Sequence, residues 1–218
     1  AARGRGRAAG GDVAVRDRGR RRGGARLPQR AAEAVDAAHH ARVHLAALLD
    51  QGERSRPGLS GLSDCGIDGR PVPEGRLHAF CHCVPDRWHV MGVMLSATAS
   101  LEWLAGVLGV SAPRLTKALG EHVKGPASVL FLPYLSGERT PVNDASARGV
   151  FCGLGHESDR KVLTHSVLDG VAFAFRDCLE ALRKAGTQVE RATAVGGGSK
   201  SKLWLKILAT VLGIPIDV

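Results

Sequence analysis

An α/β layer fold is what this sequence predicts, and three observations carry it. Short apolar runs alternate with longer stretches whose apolar residues recur at helical spacing. Capping residues and glycines bound those helical stretches. Near the end, the apolar run 192–195 enters Gly196, Gly197 and Gly198, and an amphipathic stretch follows at once.

The elements follow in order. Residues 78–83 and 88–94 read as two short strands around a Pro85-Asp86 turn. Ser96 is placed to cap a helix that turns Ala97, Leu101, Leu104 and Leu108 inward and stops at Gly109. A short helix is predicted over 111–119. The apolar run 129–132 breaks at Pro133, which opens a turn-rich loop over 136–149. The clearest helix spans 159–185, with Ser158 as its cap, Leu168, Val171, Phe175, Leu179 and Leu182 as its buried stripe, and Gly186 as its stop. After the glycines, Leu203, Ile207, Leu208, Val211 and Leu212 mark a last helix ending at Gly213. Residues 214–218 open a further strand, and no internal repeat is visible.

Composition sets the organisation. A chain of 218 residues has room for one large domain or two small ones, and 44% hydrophobic with 23% charged residues is an ordinary globular balance. The net charge of +9 is concentrated at one end: residues 1–30 hold ten arginines against Asp12 and Asp17, leaving +1 for everything else. All seven lysines lie at or beyond Lys117. The chain therefore divides into an Arg-, Ala- and Gly-rich segment, 1–69, and an orderly region, 70–218. The first segment has three readings. It is a disordered basic tail touching nucleic acid or membrane nonspecifically, a transit peptide, or an out-of-frame translation of GC-rich DNA. The third is favoured, and within the segment only a helical patch near 31–49 shows apolar periodicity.

Cys65, Cys81, Cys83, Cys152 and Cys178 are odd in number and irregular in spacing, so no disulfide framework is expected. No run of 18 apolar residues suggests a membrane span, and the cytoplasm is the default location. The chain starts at Ala1 rather than Met and is expected to be a fragment.

The glycine turn is the first candidate site. A strand, a glycine turn and a helix start suit a phosphate, because a backbone without Cβ atoms approaches an anion closely and helix-start N–H groups point at it. The turn is neither G-x-G-x-x-G nor a Walker A motif, and an unliganded tight turn explains such a triplet as well. His78, Cys81, His82, Cys83 and His89 invite zinc, yet successive strand residues face opposite ways and no distant second Cys pair exists, so no metal site is expected. Residues 131–141, with Glu138 and Arg139 adjacent between Gly137 and Pro141, form a loop that is either functional or a fixed turn. No nucleophile triad is readable. Asp144, Asp159 and Asp169 are candidate acids or bases, Asp159 being better explained as a first-turn helix charge.

His78-Ala79-Phe80-Cys81-His82, Arg87-Trp88-His89, Met91 through Ala97, Phe131 through Pro141, Asn143-Asp144, Ala147 through Phe151 and Val167 through Ala172 form an ordered motif series. With the glycine turn, Ser201 and Trp204, this series resembles the FGGY carbohydrate kinases, and within them the xylulokinase branch. The resemblance runs from about Arg70 to Val218. It implies an actin-like, ribonuclease H-like ATPase domain, namely an incomplete FGGY kinase C-terminal domain. It also implies ATP and magnesium as cofactors and phosphorylation of D-xylulose on its 5-hydroxyl. The residues it assigns to the nucleotide are Gly196, Gly197, Gly198 and Ser201, with Thr98 and Glu102 as further candidates. D-xylulose and ATP are the partners implied, a membrane and nucleic acid are not expected, and a homodimer is held open.

Departures accompany the resemblance. The family's catalytic aspartate and its Gly-Thr-Ser-Gly phosphate loop should precede Arg70, and neither is recognisable there. No catalytic residue is therefore assigned, and the chain alone is expected not to phosphorylate sugar. The alternatives are another FGGY kinase, of the glycerol or gluconate type, and a nonenzymatic scaffold whose basic arm binds nucleic acid.

Overall fold

The computed structural model describes residues 42–46, 60–67, 77–81 and 88–218. Eight strands and four helices are found among them. The strands are β1 (Arg42–Ala46), β2 (Ser60–Ile67), β3 (His78–Cys81), β4 (Trp88–Met94), β5 (Leu130–Leu132), β6 (Val150–Cys152), β7 (Arg191–Val195) and β8 (Ile216–Asp217). The helices are α1 (Thr98–Leu108), α2 (Ala112–Ala118), α3 (Arg160–Lys184) and α4 (Lys202–Leu212).

Six strands form one mixed sheet in the order β3-β4-β2-β1-β7-β8. β1, β2, β4 and β3 pair antiparallel in turn, whereas β7 runs parallel to β1 and β8 parallel to β7. The α/β expectation holds. The sheet also crosses the sequence boundary at residue 70, because β1 and β2 precede it and β1 lies between β2 and β7. Arg42–Ala46 is thus a strand where local periodicity suggests a helical patch. Ladder bonds to a neighbour on each side outweigh the helix propensity of an alanine-rich stretch.

α3 is the axis of the core. It packs against β4 and β5 as well as α1, α2 and α4. All five residues of its predicted stripe are at most 1% exposed. Each such side chain stabilises the fold by roughly 1.5–3 kcal/mol. α4 buries Leu203, Leu205, Ile207, Leu208 and Leu212 against it. Arg176 on α3 donates to the Val211 carbonyl at 2.7 Å, securing the far end of α4.

Several boundaries differ from the sequence reading. α1 is preceded by Ala97, which makes no side-chain cap hydrogen bond, so Ser96 is not the cap. At α3 the cap is Asp159, which accepts from the Lys161 and Val162 amides; the Ser158 hydroxyl accepts from Gly155 instead. β6 is a strand that the sequence reading does not place. It pairs with β5 as a separate two-stranded sheet, and Phe131 and Phe151 meet at 4.6 Å between ring centroids. Trp103 of α1 stacks on both rings. Among the described residues no helix is long and apolar enough to cross a membrane. His82, Cys83 and the Pro85-Asp86 turn lie outside the described residues.

Candidate functional site

β7 carries the chain to the glycine turn. Gly196 takes φ +88°, a conformation open to glycine and strained for other residues. Residues Gly197–Lys200 then form a 3-10 turn, so the glycines do not themselves start the helix as expected. The Ser199 hydroxyl donates to the Gly196 carbonyl at 2.8 Å and closes this turn. Ser201 begins the helix proper, its Oγ accepting from the Trp204 amide at 3.3 Å.

Gly198 is small for a reason that packing supplies. A Cβ there would stand 2.9 Å from the Trp204 ring and 3.1 Å from the Thr98 methyl group. Trp204 is 2% exposed and wedges the turn against the start of α1. Its indole nitrogen is buried and has no partner among the described residues.

These contacts bring three segments around one cavity of about 580 Å³. Thr98, Leu101 and Glu102 line it from α1, and Ala112, Pro113, Thr116 and Lys117 from α2. Gly197, Gly198, Lys200, Ser201, Lys202, Leu203 and Trp204 line it from the turn and α4. Lys206 donates to the Glu121 carbonyl at 2.9 Å and ties the segment after α2 to α4. Three ammonium groups, Lys117, Lys200 and Lys202, face two carboxylates, Glu102 and Glu121, giving the wall a net positive charge. Backbone donors, ammonium groups and a glycine-lined approach together suit a phosphorylated ligand.

Five of the six residues singled out in the sequence (Thr98, Glu102, Gly197, Gly198 and Ser201) line this cavity, and Gly196 is the hinge leading into it. Lys200 and Lys202 escaped notice although they flank Ser201, and their charge beside a glycine turn was a usable signal. Thr116, Lys117 and Glu121 carried none. They reach the site only because α2 folds against the core.

The other candidates lie elsewhere. Asp144 pairs its backbone with Glu138, and its Oδ1 accepts from Ser146. Asp169 accepts from the Ala127 amide at 2.8 Å and faces His165 at 3.4 Å. Burial pushes its carboxyl up against the opposing pull of that amide and of His165. It lines a separate cavity of about 120 Å³ with Tyr134, Phe173 and Asp177.

Residues 67–218 match the C-terminal domain of the FGGY family of carbohydrate kinases. This chain belongs to that family. The xylulose kinase of Escherichia coli (strain K12) is 42% identical over 146 residues, which cover 66% of this FGGY chain and 30% of that protein. The xylulose kinase of Klebsiella pneumoniae is 41% identical, with the same coverage. A crystal structure of a xyloylose kinase from Brucella ovis matches at a TM-score of 0.72 and 52% identity, over 81% of this chain and 34% of the other. The fold is that of the FGGY C-terminal domain, an actin-like arrangement of which this chain carries part. The chain spans about 30% of the length of the curated FGGY relatives it matches.

Proposed function

We propose that this chain supplies the nucleotide-binding side of a kinase that transfers a phosphoryl group from ATP to D-xylulose. One observation carries the reading: α1, α2 and the glycine turn converge on a single positively lined cavity of about 580 Å³. Xylulose kinases match the chain at 41–42% identity, against 36% for a glycerol kinase of Geobacter sp. (strain M21), which supports this sugar over others in the family.

The residues present fit a nucleotide. Lys200 and Lys202 beside the turn's backbone donors would hold phosphates, with Lys117 and Thr116 on the opposite wall. The missing Cβ of Gly198 lets the turn pack closely against Trp204 and Thr98, which holds it beside α1. Among the described residues no three His, Cys, Asp or Glu groups converge, so magnesium would come with the nucleotide, held chiefly by phosphates and water. Magnesium-bound ATP supplies the transferable phosphoryl group, and in-line transfer depends on positioning and charge stabilisation. This chain's part is to bind and orient. No base for the sugar hydroxyl is assigned in this chain.

Calorimetric titration with ADP tests the reading. The chain binds ADP, and Gly198→Val weakens binding by roughly tenfold or more through the clash with Trp204 and Thr98. A coupled ADP-release assay with D-xylulose gives no turnover by this chain alone. A folded chain that ignores ADP overturns the nucleotide assignment, and turnover above background overturns the division of labour.

A further inference from the structure

The loop between β5 and β6 buries a carboxylate that does not line the nucleotide cavity. Glu138 is 1% exposed. Its Oε1 accepts from the Leu95 amide at 3.2 Å and from the Arg139 amide at 2.8 Å. Its Oε2 is buried with no partner among the described residues. A half-satisfied buried carboxylate costs free energy, so its local hydrogen bonds do not account for its use on stability grounds.

What it holds is the approach to α1. The Glu138 backbone pairs with Asp144, both N–H to O contacts being 2.9 Å. Two residues on, the Thr140 amide donates to the Val93 carbonyl, and the Thr140 hydroxyl accepts from the Val93 amide, both at 3.0 Å. The loop thus runs beside the end of β4, and the Glu138 carboxylate takes the next outward amide, that of Leu95. Three residues later Thr98 opens α1, whose cap residue Ala97 offers no side-chain hydrogen bond to fix the turn. Thr98 lines the cavity and touches the space above Gly198.

We propose that Glu138 is a positioning residue for the nucleotide site, holding the β4–α1 turn through Leu95 and thereby setting Thr98 against the glycine turn. The inference rests on the nucleotide reading of the cavity. Glu138 does not line the cavity. Its effect passes through two hydrogen-bonded amides and one turn of backbone, so it should be felt in affinity as well as in stability. Burial raises its carboxyl to about 7, but either protonation state retains an oxygen able to accept from Leu95.

ADP titrations of the full 218-residue chain and three variants test this. Glu138→Gln keeps an acceptor in place and binds ADP within about twofold of wild type, whereas Glu138→Leu, which removes it, binds roughly tenfold more weakly. Ile216→Val, in the far edge strand, lowers stability and leaves ADP affinity unchanged. Hydrogen exchange on the wild type supplies a second readout: ADP raises protection of the Leu95 and Arg139 amides, because coupling between sites is reciprocal. A folded Glu138→Leu chain with wild-type affinity overturns the proposal. So does unchanged Leu95 protection on ADP binding, which decides the matter if Glu138→Leu does not fold. If the folded wild type takes up no ADP, the nucleotide reading falls and takes this proposal with it; binding without coupling sinks this proposal alone.

Discussion

Glu138 sits beside Cys178 and Tyr134, and burial pushes all three groups up from their ordinary values. For Glu138 the result is about 7. Between the usual carboxylate range and that value, the folded chain keeps a proton that the unfolded chain has released. The associated stability is full at the acid end and is lost as pH rises through about 7. The whole change is worth roughly 3 kcal/mol. Urea unfolding at a series of pH values should show this decline, and Glu138→Gln should flatten it. Gly198 is governed by contact rather than charge. Gly198→Ala puts a methyl group against Trp204 and Thr98, and should cost about 1–3 kcal/mol in the same assay. Neither effect was legible locally. The sequence leaves the Glu138 loop as either functional or a fixed turn, and Gly198 as either room for an anion or part of a tight turn, because the groups that surround them come from distant positions.

At the scale of elements, helix ends dominate the predictions. Asp159 accepts from two amides at the start of α3, and Ser201 from one at the start of α4. Asp159→Ala and Ser201→Ala should each lower unfolding free energy by about 1 kcal/mol, read by thermal melts. Ser158→Ala should cost less, since its hydroxyl accepts from Gly155 in the preceding turn. The helices themselves were legible because an amphipathic stripe is a property of consecutive residues. Gly109 and Gly213 end α1 and α4 with positive φ, as their places in the pattern suggested. Choosing between neighbouring caps was harder. Ser158 and Asp159 are both good capping residues, and only the path of the preceding turn decides which side chain reaches the free amides. Three-residue strands such as β6 carry too little pattern to announce themselves.

Over the whole molecule, the site is a meeting of α1, α2 and the β7–α4 connection around the scaffold of α3. Its positive wall predicts that Lys200→Ala with Lys202→Ala weakens ADP binding and makes it less sensitive to added salt, measurable by titration at two ionic strengths. Removing residues 1–30 should leave ADP affinity unchanged, because the cavity draws its lining from residues 98–204. What the sequence determined by itself was what depends on neighbours along the chain: the helical stripes, the glycine turn, the ordered motif series and the concentration of arginine at one end. Only tertiary structure decided that β1 stands between β2 and β7, that α2 brings Lys117 opposite Lys200, and that a loop carboxylate holds the approach to α1. The physical reason is separation. Local periodicity says which face of an element is apolar, but partners dozens of residues apart are chosen by close packing and by the need to satisfy buried polar groups.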